Sequence, residues 1–169
     1  MSGSMIQSSL PVAVFAGAGC VNIPIGFAAC DMIVEQMPPL SAYGNEFVTC
    51  PLASRTGGDT WRFMASQNNT TLKINGVTKA ILNFGDFYET ILQTAAYVQA
   101  DKPILSMQYS NGLGYDNTTG DPFSMIVPPY QQFLNDYTFA TPAEGFTTNY
   151  FNVTVETTGI SGMQMDGSP

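Results

Sequence analysis

A chain of 169 residues with 5 Lys and Arg against 13 Asp and Glu carries a formal charge of −8, which repels nucleic acid and anionic membrane over most of its surface. It has no histidine, so the usual general base near neutral pH and the commonest transition-metal ligand are missing, and Ser-His-Asp and Cys-His chemistries are excluded. Thr, Asn, Gly, Pro and aromatic residues prevail over Lys, Arg and Glu, and only 11% of residues are charged, a balance that points to an all-β, extracellular protein.

The opening has neither a basic segment nor a long apolar one before a cleavage site, and no apolar run approaches the ~20 residues of a spanning helix. Both ends read as cut, so the chain is expected to be a piece of a larger protein or a mature chain shorn of its leader. The first strand is expected over residues 12–15, after Pro11. Cys20 and Cys30 then bracket the loop "VNIPIGFAA", short enough for a disulfide worth about 2 to 3 kcal/mol. Cys50 reads as a small buried residue, with pairing outside the chain or a reactive thiol as the alternative.

Asp31 and Glu35 lie four apart, on one face of a strand or a helical turn, and two carboxylates suitably placed can hydrolyse a glycoside. Asp31 fits better as a residue that holds a turn through its side chain. Beyond the Pro38-Pro39 step, Tyr43 and Phe47, and beyond Pro128-Pro129, Phe133 and Tyr137, stand an even number of residues apart and point to one face of the next strand, expected to be core. Strands follow over residues 61–65 and 72–74, and Asn75-Gly76 is the signal of a type I′ hairpin. "AILNFGDFY" supplies a further strand pair or a longer turn. A second apolar strand is expected over residues 104–109.

"GYDNTTGDPF" gathers hard oxygen donors, and Asp116 and Asp121 are its calcium candidates, although EF-hand spacing is lacking. Sequons stand at Asn68, Asn69, Asn117 and Asn152. Tyrosines near loops, Tyr109, Tyr115 and Tyr130, are the candidate ligand-binding residues, because tyrosine supplies contact area at low entropic cost in protein and sugar recognition.

The chain also repeats itself. Pro11 aligns with Pro103; Asp31, Pro38, Pro39, Tyr43 and Phe47 align with Asp121, Pro128, Pro129, Phe133 and Tyr137; Pro51 aligns with Pro142, and Gly76 with Gly167. Glu35 falls opposite Met125, and neither Cys20 nor Cys30 has a counterpart. Two halves follow, residues 1–95 and 96–169, expected to form two β-sandwich units or one larger sandwich with internal twofold pseudo-symmetry.

The string "PVAVFAG…C", "CDMIVEQMPP", "YGNEFV", "DTWRFMASQNNTTLKING", "ADKPILSMQY", "GDPFSMIVPPYQQF" and "YTFATP" resembles, in this order, the N-terminal domain of the IgG Fc-binding protein family. The resemblance spans nearly the whole chain and departs at Met32, where the family places histidine after Cys-Asp. It implies a non-enzymatic module for binding or adhesion, extracellular or at the cell surface, with flanking domains, and it supports the pairing of Cys20 with Cys30. The partner it implies is an extracellular protein or glycan; the other readings are a structural unit completed by neighbouring domains or subunits, and a carboxylate hydrolase.

Overall fold

The computed structural model describes residues 2–142 and 144–168, and the chain is all-β. Nine strands occur among the described residues: β1 (Val14–Val21), β2 (Asp31–Met37), β3 (Gly44–Thr49), β4 (Asp59–Ala65), β5 (Thr70–Ile74), β6 (Val77–Leu82), β7 (Phe87–Leu92), β8 (Ala96–Ser110) and β9 (Phe123–Val127). One short helical turn, α1 (Leu113–Asp116), follows β8. The chain divides into two compact units, Met1–Tyr137 and Thr138–Pro169, and the first holds every strand.

Two-residue alternation builds the core. In β4, Trp61, Phe63 and Ala65 are buried while Arg62 and Met64 are half-buried; in β5, Thr70, Leu72 and Ile74 are buried while Lys73 is exposed. Trp61, Phe63, Leu72 and Ile74 form one cluster with Phe47, Ala96, Val98 and Ile104, drawn from β3, β4, β5 and β8. Phe47 is core, as expected, and Tyr43 is half-buried just before β3. Asn75 and Gly76 adopt φ of 50° and 78° between β5 and β6, the paired left-handed conformations of the expected hairpin turn.

The fifteen residues of β8 organise the rest. Its first part pairs with β3 and β5, and its last part with β4 and β9, all antiparallel. The change of partners falls near Pro103, which has no N–H to give a ladder and whose carbonyl accepts from the Ser66 N–H at 3.2 Å and its hydroxyl at 2.5 Å. "AILNFGDFY" yields two strands, but β6 pairs with β5 and β7 with β4, so they are not partners of each other.

β1 and β2 form a separate two-stranded sheet. Its register matches that of β8 with β9 under the offsets of the sequence repeat: Val14 opposite Met37 maps onto Ser106 opposite Val127, Ala16 opposite Glu35 onto Gln108 opposite Met125, and Ala18 opposite Ile33 onto Ser110 opposite Phe123. Each hairpin leads through its Pro-Pro step into a short 3-10 turn, Leu40–Ala42 or Tyr130–Gln132. The two turns meet: Gln132 Nε2 donates to the Ala42 carbonyl at 2.6 Å, and a Cβ on Gly44 would lie 2.2 Å from the Pro129 ring.

The segments that follow the two turns differ. β3 follows the first turn, whereas Tyr137 is exposed and no strand is found over the described residues of 133–169. The second unit contains a 3-10 segment, Thr157–Gly162, rings of Phe139 and Phe151 with centroids 5.4 Å apart, and a single bridge between Met165 and Ser168. Asp166 and Gly167 in that bridge have φ of 52° and 77°, the same turn as Asn75-Gly76.

Candidate functional site

A braced surface of the first unit is built where three loops meet, at residues 20–30, 50–58 and 111–122. Cys20 and Cys30 are joined by a disulfide, with Cα atoms 5.0 Å apart, as expected. The bonded loop turns at Pro24, whose carbonyl accepts from the Phe27 N–H at 3.2 Å, with a cis peptide between Ile23 and Pro24. Ile23 is buried, and its carbonyl accepts from the Gly112 N–H at 2.7 Å. The Phe27 ring stands edge-on to Tyr115 at 5.0 Å.

Glycine permits this approach. A Cβ on Gly114 would lie 2.9 Å from the Ala28 carbonyl oxygen, and one on Gly57 would lie 2.5 Å from the Tyr115 ring. Backbone therefore sits against backbone and ring where a side chain would wedge the loops apart.

Buried polar bonds lock the frame beneath. Asp116 pairs with Arg55 at 3.0 Å, their side chains only 2% and 6% exposed, and Arg55 also donates to the Asn111 carbonyl. The Asn111 side chain accepts from Thr60 Oγ1 at 2.6 Å and donates to the Gly58 carbonyl at 2.7 Å. Asp59 accepts from the Leu52 N–H at 2.7 Å and from Gln108 Nε2 at 2.9 Å, and the same Gln108 nitrogen reaches the Cys50 carbonyl at 2.8 Å. Cys50 itself stands outside the disulfide and is half-buried.

The acids of this frame titrate in opposite directions. Burial would raise the Asp116 carboxyl, but the Thr118 hydroxyl, the Arg55 charge and the backbone N–H groups of Gly57 and Thr118 outweigh it and hold the pKa below the ordinary carboxylate value. Burial dominates at Asp59 and raises its pKa despite the bonds from Leu52 and Gln108.

Above the frame, Ile25, Phe27 and Leu113 remain exposed, Ile25 at 86%. The arrangement presents apolar side chains on a rigid support. The spacing of Cys20 and Cys30 marked this loop in the sequence, but nothing there marked Arg55 or Asn111 as its supports.

The candidate tyrosines lie on separate features. Tyr115 belongs to the loop cluster and is half-buried. Tyr109 is buried at 5% in β8, with the Arg62 guanidinium 5.4 Å from its ring centre. Tyr130 is partly exposed in the second 3-10 turn, edge-on to Phe133 at 5.4 Å.

Of the calcium candidates, Asp116 is engaged by Arg55 and by the Thr118 hydroxyl at 2.6 Å, and Asp121 is exposed at the far end of the loop. Among the described residues no group of three or more His, Cys, Asp or Glu side chains comes together to hold a metal ion. Asp31 accepts from the Met32 N–H at 2.7 Å at the start of β2, and burial raises the pKa of Glu35 on the same strand.

No helix among the described residues is long and apolar enough to cross a membrane. No solved structure matches the chain. The IgGFc-binding protein of Homo sapiens is 30% identical over 173 residues, a match covering 99% of this chain but 3% of that protein. The family described as IgGFc binding protein matches residues 1–169, and the chain belongs to that family.

Proposed function

We propose that the chain is an extracellular, non-enzymatic binding module that engages a protein or a glycosylated protein through the loop tip formed by Ile25, Phe27 and Leu113, with Tyr115 beside it. The observation that carries this reading is an exposed apolar tip above a disulfide and a buried ion pair, since a surface held in one conformation loses little entropy on binding. The family supports a binding role, and the relative's name makes an IgG Fc fragment the first ligand to try. The reading uses no cofactor and gives Asp31 and Glu35 no catalytic part. Secretion accords with the disulfide and with four exposed sequon asparagines.

Immobilised IgG Fc and a panel of mucin-type glycoproteins would be probed with the purified chain by interferometry. At least one is expected to bind, and replacing both Ile25 and Phe27 by Ser should weaken that binding by about tenfold or more, as loss of buried anchors does. Binding unaffected by the double substitution, in a protein that keeps its β-type circular dichroism, would overturn the assignment of the tip.

A further inference from the structure

The main sheet is notched where β8 exchanges one neighbour for another. On the edge of β8 opposite β4, β3 pairs as far as Ile104 and β9 takes over at Ser106. The chain enters β3 and leaves β9 through the two Pro-Pro turns, so proline rings flank the gap in place of a strand. A half-open cavity of about 100 Å³ occupies it, with Tyr43, Phe47, Ile104, Ser106, Val127 and Pro128 in its walls.

Ser106 stands out in that apolar lining. It is fully buried, and its hydroxyl has no hydrogen-bond partner among the described residues. A buried hydroxyl left unpaired is destabilising, and native proteins keep few of them. Ile104 and Ser106 are two residues apart on β8 and Val127 stands opposite Ser106, so the three side chains share the face that carries the core.

The walls restrict what can enter. No charged side chain lines the cavity, although the chain carries a formal charge of −8, so a neutral guest suits it. Its volume is below the roughly 150 Å³ that takes a benzene in an engineered core, which limits the guest to one ring, part of it at the open side. A guest that satisfies both the apolar walls and the buried hydroxyl has an apolar body and a polar tip, and among side chains that order belongs to tyrosine.

We propose that this cavity receives the side chain of a tyrosine presented by a partner protein, its ring against Tyr43, Phe47 and Pro128 and its phenol hydroxyl donating to Ser106 Oγ. A phenylalanine would leave Ser106 unpaired, so the site tells the two rings apart. It shares no residue with the loop tip and does not rest on the function assigned there.

N-acetyltyrosinamide and N-acetylphenylalaninamide, as minimal forms of the two side chains, would be titrated into the purified chain and followed by amide chemical shifts in NMR. The tyrosine compound is expected to shift residues 104–106 and 126–127 and to bind about fivefold more tightly than the phenylalanine compound, the worth of one hydrogen bond. Ser106→Ala, in a protein that keeps its β-type circular dichroism, should bind both compounds equally. The Ile25 and Phe27 double variant should bind like the wild type, which separates this site from the tip. Absence of binding by either compound, equal affinities in the wild type, or a preference for tyrosine that survives Ser106→Ala would overturn the proposal.

Discussion

Asp116 was legible in the sequence only as an oxygen donor in a turn, because a loop sequence shows which donors are near one another but not which cation the fold delivers. The fold brings Arg55 to it from a distant loop and buries the pair. Replacing Asp116 with Asn leaves the guanidinium in a dry site without its counter-charge, and should cost about 3 to 5 kcal/mol in denaturant unfolding. The pH dependence follows from the direction of the shift. A carboxyl with a lowered folded-state pKa stabilises fully above its unfolded value of about 3.9, and loses that contribution as pH falls through the folded value. The gap between wild type and Asp116→Asn should therefore be full at neutral pH and close progressively in acid. Asp59, whose shift is opposite and is caused first by burial, is also raised by the Asp116 charge, so the substitution lowers the Asp59 pKa at the same time.

Elements specified by local rules read well from the sequence. Asn75-Gly76 needs only a left-handed pair between two apolar runs, and the Cys20–Cys30 bridge needs only a short loop. The strand β8 was seen in part, over residues 104–109, because its extension toward Ala96 crosses Asp101, Lys102 and Pro103, which break any apolar pattern. A strand was also expected after the second Pro-Pro step; the first such step leads to β3, which has β8 to pair with, and the second leads to residues with no ladder. Pattern alone makes no strand when the partner is missing. The disulfide gives a prediction at this scale. Cys20→Ser with Cys30→Ser should lower stability by about 2 to 3 kcal/mol, and thermal unfolding of the double variant should match that of the reduced wild type.

Among the described residues, cross-strand bonding is concentrated in the first unit, while those of the second have one bridge and a 3-10 segment. Hydrogen exchange followed by mass spectrometry should show slow exchange over β4, β5 and the β8 segments they flank. Residues 144–168 should exchange much faster, since few backbone groups there sit in a ladder. Slow exchange in that segment would contradict this picture. All-β character followed from composition, because a scarcity of helix formers is a global property. The three-loop junction did not, because residues far apart in sequence create it.

The many partners of β8 have a further consequence. On the proposed duplication, the sequence period begins anew just where this strand begins, yet β3, β4 and β5 of the earlier copy depend on it for bonding. The period of inheritance and the unit of folding are thus out of phase by one strand. A gene fragment trimmed at the repeat boundary would encode strands deprived of their shared neighbour, whereas one extended through the second Pro-Pro turn would carry a complete ladder.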